Sequence, residues 1–156
     1  MLGHDRPHSF AWGAVISSVA SSIVASRARI ATQRRRILAV DDDAGLLDML
    51  ALLLDKEHLE LRTAHGGQAG LDLAMSWEPD LILLDLAMPD LDAAGFLASY
   101  RSLAAEPAPV VLLSGAMDGI KHAEKLGVTM FLAKPFDLGT LLDMVDAYAR
   151  ALPPPS

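Results

Sequence analysis

Five short apolar runs alternate with longer stretches of helical periodicity along most of this 156-residue chain. The runs are Ile37–Val40, Leu59–Ala64, Leu81–Leu84, Val110–Leu113 and Thr129–Ala133. Near-continuous apolar runs of this length are typical of parallel strands that are buried on both faces of a sheet. The stretches between and after them predict helices at about 44–56, 67–77, 92–104, 117–126 and 137–150. The alternation therefore predicts an α/β fold, (βα)5, with a doubly wound five-stranded parallel sheet.

The charge of the chain is divided unequally along its length. Residues 1–36 hold six arginines and one acidic residue, Asp5, and carry a net charge of +5, whereas the other 120 residues carry −12. Such an acidic part repels nucleic-acid phosphates, so we expect no direct nucleic-acid binding and expect cations and basic or apolar protein surfaces as partners. The chain has no cysteine, which excludes disulfides and thiolate metal sites and fits a cytoplasmic location.

The stretch of the chain over which strands and helices alternate divides the sequence into three predicted parts. Residues 35–150 form one globular domain, 1–34 an N-terminal extension and 151–156 a Pro-rich tail. Within the extension, residues 9–26 carry no charge, and 18 residues are close to the minimum that spans a bilayer. Several serines weaken the tendency of this run to insert, so we predict a flexible tail. A weak membrane-associated helix stays open as the less favoured alternative.

Polar residues stand at the end of four predicted strands. They are Asp41 and Asp42 after the first, Asp85 after the third, Ser114 after the fourth and Lys134 after the fifth. Because ligands of open α/β sheets bind at the carboxyl ends of the strands, we expect these side chains to converge. Three carboxylates would repel one another and raise at least one pKa, whereas Mg²⁺ and one lysine would balance their charge. Such a neutral pocket suits a phosphoryl group, whose oxygens need a metal, an ammonium and a hydroxyl as partners.

Four segments, ILAVDDD, LILLDLAMPDLD, VVLLSGA and FLAKPF, resemble the signature blocks of response-regulator receiver domains. The resemblance covers about residues 35–150 and implies a flavodoxin-like receiver fold and a single-domain response regulator of a phosphorelay. It implies that Asp85 accepts a phosphoryl group from a phosphohistidine on a histidine kinase or histidine phosphotransfer protein, and that a downstream effector protein reads the result. On this basis the domain is not an enzyme, since it catalyses only its own phosphorylation and slow dephosphorylation.

The resemblance also implies a metal site. Asp42 and Asp85 would bind Mg²⁺ directly, the backbone carbonyl of Ala87 would add a ligand, and Asp41 would act mainly through water.

The resemblance further implies how the phosphoryl group is bound and sensed. Asp85, Lys134 and Ser114 form the catalytic set, in which Lys134 and Ser114 bind the phosphoryl oxygens. Phe131 occupies the position of the family's aromatic switch. Ser114 would move toward the phosphate and Phe131 would turn inward, which remodels the face formed by the fourth helix, fifth strand and fifth helix.

The positions two residues after Asp85 and two after Ser114 flank the path of the hydrolytic water in this family. Here they are Ala87 and Ala116. Neither methyl group can orient a water molecule by hydrogen bonding, so we predict slow self-dephosphorylation.

Two other functions remain alternatives. A pseudo-receiver would keep the fold as an interaction module without being phosphorylated. A haloacid-dehalogenase-type phosphatase also uses an Asp nucleophile and Mg²⁺, and Asp41 and Asp43 match the start of its motif, but Gly45 occupies the motif's last position and no later acidic pair follows Lys134. A flavodoxin-like FMN protein is disfavoured because three aspartates stand where it needs a hydroxyl-rich phosphate loop.

Overall fold

The computed structural model describes residues 16–21, 34–56, 58–115 and 119–151. Its strands are β1 (Arg35–Asp41), β2 (Leu59–His65), β3 (Leu81–Asp85), β4 (Val110–Ser114) and β5 (Met130–Ala133). The helices within residues 34–151 are α1 (Ala44–Leu54), α2 (Gly67–Trp77), α3 (Ala93–Leu103), α4 (Gly119–Leu126) and α5 (Leu138–Ala151). The predicted succession of five strand–helix units is confirmed.

The five strands form one parallel sheet in the order β2-β1-β3-β4-β5. The chain winds outward from β1 in one direction to β2 and in the other to β3, β4 and β5, as the prediction of a doubly wound sheet required. The carboxyl ends of β1 and β3 are neighbours at the point where the winding reverses, which is where open α/β sheets bind ligands.

Each face of the sheet is covered by its own hydrophobic cluster. Along β1, Leu38 and Val40 belong to the cluster that also contains residues of α2, α3 and α4, whereas Ile37 and Ala39 belong to the cluster with residues of α1 and α5. Successive strand side chains point to opposite faces, so both sets must be apolar. Burial on both faces is therefore why the strands read as continuous apolar runs.

Several helix boundaries follow the local chemistry of the sequence. Asp43 and Asp92 cap α1 and α3, and each carboxylate accepts a hydrogen bond from the backbone N–H three residues later, at 3.1 and 2.8 Å. Helix α2 ends at Trp77, and its C-cap residue Glu78, with φ +53°, stands directly before Pro79. Gly127 follows α4 with φ +65°, a conformation that glycine adopts without strain. The predicted signals at Asp43, Asp92, Pro79 and Gly127 are confirmed.

Among the described residues, most boundaries lie within one residue of the predicted ones, and two differ by two residues. Helix α1 ends at Leu54 rather than at about 56, because Lys56 leaves the helix and forms an isolated antiparallel bridge with Leu59. Strand β1 starts at Arg35, which pairs with Leu59 in the ladder to β2. Apolar periodicity could not indicate this start because the first two residues of the strand are arginines.

Most of the predicted N-terminal extension, residues 1–34, lies outside the described residues. Residues 16–21 are helical, and Ile16 and Val19 in this short segment are exposed. In the described part of the chain, no helix combines the length and apolar character that a bilayer crossing requires. Residues 152–156 of the predicted tail are also outside the described part. The division into extension, domain and tail stays a prediction.

Candidate functional site

Two adjacent aspartates stand at the carboxyl end of β1. Asp41 is the last residue of the strand and is buried, whereas Asp42 is exposed. One oxygen of the Asp41 carboxylate accepts a hydrogen bond from the backbone N–H of Asp43 at 3.0 Å, which fixes its orientation. Asp43 itself caps α1. The end of β1 and the start of α1 therefore hold a buried carboxylate in one defined position.

Asp85 ends β3 next to Asp41 and is 7% exposed. Its position is fixed by the sheet, since Asp85 pairs with Leu113 in β4 and the ladder continues with a bond from the Leu86 N–H to the Leu113 carbonyl at 2.9 Å. The predicted convergence of the strand ends is thus observed for β1 and β3.

Lys134, which follows β5, reaches back across the sheet edge to both buried carboxylates. Its Nζ lies 2.6 Å from Asp41 Oδ2 and 3.1 Å from Asp85 Oδ1. The backbone N–H of Lys134 donates to the carbonyl of Ser114 at 2.7 Å, and the Lys134–Pro135 peptide bond is cis. One ammonium therefore bridges two carboxylates that belong to different strands.

The acidic residues of this site could hold a metal ion. Asp41, Asp42 and Asp85 each offer a carboxylate oxygen, and these three oxygens lie within 4.8 Å of one another. Oxygen ligands at this spacing suit a hard cation such as Mg²⁺. The donor set contains oxygens alone and includes an exposed member, Asp42, so solvent water can complete the coordination.

The electrostatics of the site are those of a crowded acidic cluster. Burial raises the pKa of Asp85, and the nearby charge of Asp41 acts in the same direction, while the hydrogen bond from Lys134 opposes both. Burial alone would lower the pKa of Lys134, but the hydrogen bonds and negative charges of Asp41 and Asp85 outweigh it and raise that pKa. Lys134 is therefore a cation at neutral pH, and at Asp85 burial and the neighbouring carboxylates together outweigh Lys134 and disfavour the charged form. The predicted raised pKa within the acidic group falls on Asp85.

The remaining predicted residues surround this centre. Ser114 ends β4 and is buried, and its carbonyl is tied to Lys134. Ala87 is exposed in the loop between β3 and α3. Phe131 lies in β5, partly buried against the core, and its ring packs on Gly119, where an added Cβ would lie 2.0 Å from ring atom Cε2. Ala116 lies outside the described residues. The structure thus brings Lys134 into contact with Asp41 and Asp85, and a carboxylate oxygen of Asp42 lies within 4.8 Å of theirs.

Asp90 was not among the predicted site residues. Asp90 lies in the loop after β3, and its carboxylate accepts hydrogen bonds from the backbone N–H groups of Gly67 and Gln68 at 3.1 and 3.0 Å. The glycine pair at 66 and 67 was a signal of close backbone approach, but nothing in the sequence showed what approaches it.

This fold and site define a class of α/β domain in which an acidic cluster and a lysine share the carboxyl edge of a doubly wound sheet. The sequence model of the response regulator receiver domain family matches residues 37–146, and the chain belongs to this family. This match confirms the predicted family. Receiver domains are signalling domains of two-component and phosphorelay systems.

Individual relatives agree with the family. The chain is 31% identical over 114 residues to sporulation initiation phosphotransferase F from Bacillus subtilis, and the match covers 72% of this chain and 92% of that protein. It is 31% identical over 118 residues to the cell cycle response regulator CtrA from Brucella abortus, covering 74% of this chain and 50% of CtrA, so the chain spans about half the length of that relative. Among solved structures, the chemotaxis response regulator CheY4 of Vibrio cholerae superimposes with a TM-score of 0.67 at 27% identity, over 74% of this chain and 99% of CheY4.

Proposed function

We propose that the chain accepts a phosphoryl group on the carboxylate of Asp85, with Mg²⁺ as cofactor, from a phosphohistidine of a histidine kinase or histidine phosphotransfer protein. One observation carries the proposal: the Lys134 ammonium bridges Asp41 and Asp85 at 2.6 and 3.1 Å beside a third carboxylate. The family and the names of its relatives, a phosphotransferase and response regulators, support the same chemistry.

In the proposed reaction an oxygen of Asp85 attacks the phosphorus atom of the phosphohistidine. The new O–P bond forms as the P–N bond breaks, and the imidazole leaves with the electron pair of that bond and takes up a proton from solvent. The transition state carries its negative charge on the equatorial phosphoryl oxygens. Lys134, whose Nζ lies 3.1 Å from Asp85 Oδ1, would bind one of these oxygens, and the hydroxyl of Ser114 would donate a hydrogen bond to another.

Asp42, Asp85 and the carbonyl of Ala87 would hold Mg²⁺, with Asp41 acting mainly through water. The residues present fit this ion, because three carboxylate oxygens lie within 4.8 Å of one another. When bound, Mg²⁺ supplies positive charge that offsets the mutual repulsion of the carboxylates and of the incoming phosphoryl oxygens. Together with Lys134 it would bring the site to formal neutrality.

Signalling would pass from Ser114 and Phe131 to the face formed by α4, β5 and α5. Ser114 ends β4 and Phe131 lies in the adjacent strand, with its ring against Gly119 at the start of α4. A change in the position of this ring therefore acts directly on α4. We propose that a downstream effector protein in the cytoplasm reads this face, without direct nucleic-acid binding by this chain.

The proposal is tested by labelling with acetyl phosphate or a phosphorylated kinase in the presence of Mg²⁺. Asp85→Asn should abolish labelling, because an amide cannot form the acyl phosphate. Asp42→Ala should also abolish it through loss of Mg²⁺ affinity, and excess metal should restore part of it. Asp80→Asn is the matched control, since Asp80 precedes β3 at the opposite edge of the sheet and accepts a backbone hydrogen bond from Arg36.

Stoichiometric label that persists in Asp85→Asn would refute the assignment of the acceptor. A pseudo-receiver predicts instead that the wild-type protein takes up no label under any of these conditions.

A further inference from the structure

The loop of residues 86–92 connects β3 to α3 and contains Asp90, whose carboxylate binds the start of a different helix, α2. Its two carboxylate oxygens accept separate hydrogen bonds from Gly67 and Gln68, the first two residues of α2. These backbone N–H groups hold the pKa of Asp90 below its usual range, with Gln68 contributing more than Gly67. Asp90 therefore stays ionised and links the loop to a helix 23 positions earlier in the chain.

The first two backbone N–H groups of α2 donate their hydrogen bonds to Asp90, which lies outside the helix. Its own N-cap residue is Gly66, which has no side chain and makes no capping hydrogen bond. The first N–H groups of a helix have no acceptor within the helix and are usually satisfied by a cap side chain. In α2 the carboxylate of Asp90 takes the place of the cap side chain and accepts both hydrogen bonds.

Glycine at positions 66 and 67 makes this approach possible. A Cβ at Gly67 would lie 2.1 Å from the carbonyl oxygen of Leu91, and a Cβ at Gly66 would lie 3.0 Å from Asp90 Oδ1. Gly66 also has φ +119°, which L side chains rarely adopt. The backbone of the loop therefore packs directly against the backbone at the start of α2, with no room for a side chain between them.

We propose that Asp90 is a positioning residue, which clamps the loop of residues 86–92 to α2 and thereby holds Ala87 where its carbonyl can serve the metal site. The inference rests on the proposed function, since it concerns the same metal ion. The ends of the loop are fixed by other bonds, from the Leu86 N–H to Leu113 at 2.9 Å and from the Ala93 N–H to Leu86 at 3.3 Å. Asp90 lies between these ends and secures the segment that follows Ala87. Groups that orient a ligand from outside its coordination sphere commonly change metal affinity by 10- to 100-fold when they are removed.

The test measures Mg²⁺ affinity by isothermal titration calorimetry for the wild type, Asp90→Ala, Asp90→Asn and the control Asp80→Ala. Asp90→Ala should weaken Mg²⁺ binding roughly tenfold, whereas Asp90→Asn, which keeps one acceptor oxygen, should lose less. Asp80→Ala removes a carboxylate that accepts a single backbone hydrogen bond far from the site, and should bind Mg²⁺ like the wild type. Amide hydrogen exchange should become faster at Gly67, Gln68 and the loop of residues 86–92 in Asp90→Ala, less so in Asp90→Asn, and not in Asp80→Ala.

The outcomes separate this inference from the proposed function. If the wild type binds Mg²⁺ and Asp90→Ala binds it within twofold of Asp80→Ala, the clamp has no positioning role and only this inference is refuted. If the wild type itself does not bind Mg²⁺, the proposed function fails and the positioning role is refuted with it. If Asp90→Ala does not fold, Asp90→Asn decides the question by the same comparison with an Asp80→Asn control.

Discussion

Replacement of Asp85 by asparagine should stabilise the metal-free protein while it abolishes phosphorylation. Asp85 is buried beside Asp41 and close to Asp42, and burial and both neighbouring charges raise its pKa. An asparagine keeps the shape of the side chain and can still accept the hydrogen bond from Lys134. It removes the charge that these surroundings oppose.

The size of the effect follows from the distances in the site. At a separation of 4.8 Å, the upper bound for these carboxylate oxygens, and an effective dielectric constant of about 20, each like-charge pair costs about 3.5 kcal/mol. Removal of the Asp85 charge therefore relieves about 7 kcal/mol of repulsion and forfeits about 5 kcal/mol of attraction to Lys134 at 3.1 Å. Because Asp42 is exposed and solvent screens its charge, we expect a net gain in the free energy of unfolding on the order of 1 kcal/mol.

Urea denaturation in EDTA, repeated across pH, measures this gain. The folded-state pKa of Asp85 is raised above its ordinary value of 3.8, so between these two values the folded state binds more protons than the unfolded state. The contribution of Asp85 to stability therefore falls as pH rises through this window. The advantage of Asp85→Asn should be larger at neutral pH than in acid and should disappear below pH 3.8.

Mg²⁺ provides an independent check, because it binds the folded protein and should stabilise the wild type more than the variant. A variant that is folded but less stable than the wild type in EDTA at neutral pH would show that the attraction of Lys134 outweighs the repulsion within the acidic cluster. That result would refute the electrostatic reasoning.

Two further predictions concern the residues around the acceptor. Lys134→Ala leaves the buried Asp41 without its ammonium and should lower stability by about 2 kcal/mol, less than for a fully buried pair because the lysine side chain is 24% exposed. It should still bind Mg²⁺, and it should accept label more slowly because one transition-state oxygen loses its ammonium partner. Phosphorylation should no longer change amide exchange in α4, β5 and α5, and a wild-type change in that face would contradict the role of Lys134 as phosphoryl partner. Ala87→Asn combined with Ala116→Glu should shorten the lifetime of phospho-Asp85 about tenfold, followed as loss of radioactive label, because polar groups there can orient the attacking water. Decay that is already fast in the wild type and unchanged in the double variant would show that another group positions this water.

The local pattern of the sequence determined the five strand–helix units and most of the site. Asp41, Asp85 and Ser114 end their strands and Lys134 follows its strand directly, so once the strands are parallel their positions at one edge of the sheet follow. The two helix caps at Asp43 and Asp92 were also visible, because a cap bonds to a residue three positions away.

Tertiary structure alone decided which of these groups touch. Lys134 was predicted as a partner of the phosphoryl group, and in the folded chain its shorter contact is with Asp41, 93 positions earlier. The capping of α2 by Asp90 also joins residues that no periodicity relates. Such contacts depend on the order of the strands and on the path of the loops, which are set by how all elements pack together and not by the spacing of apolar residues within any one of them.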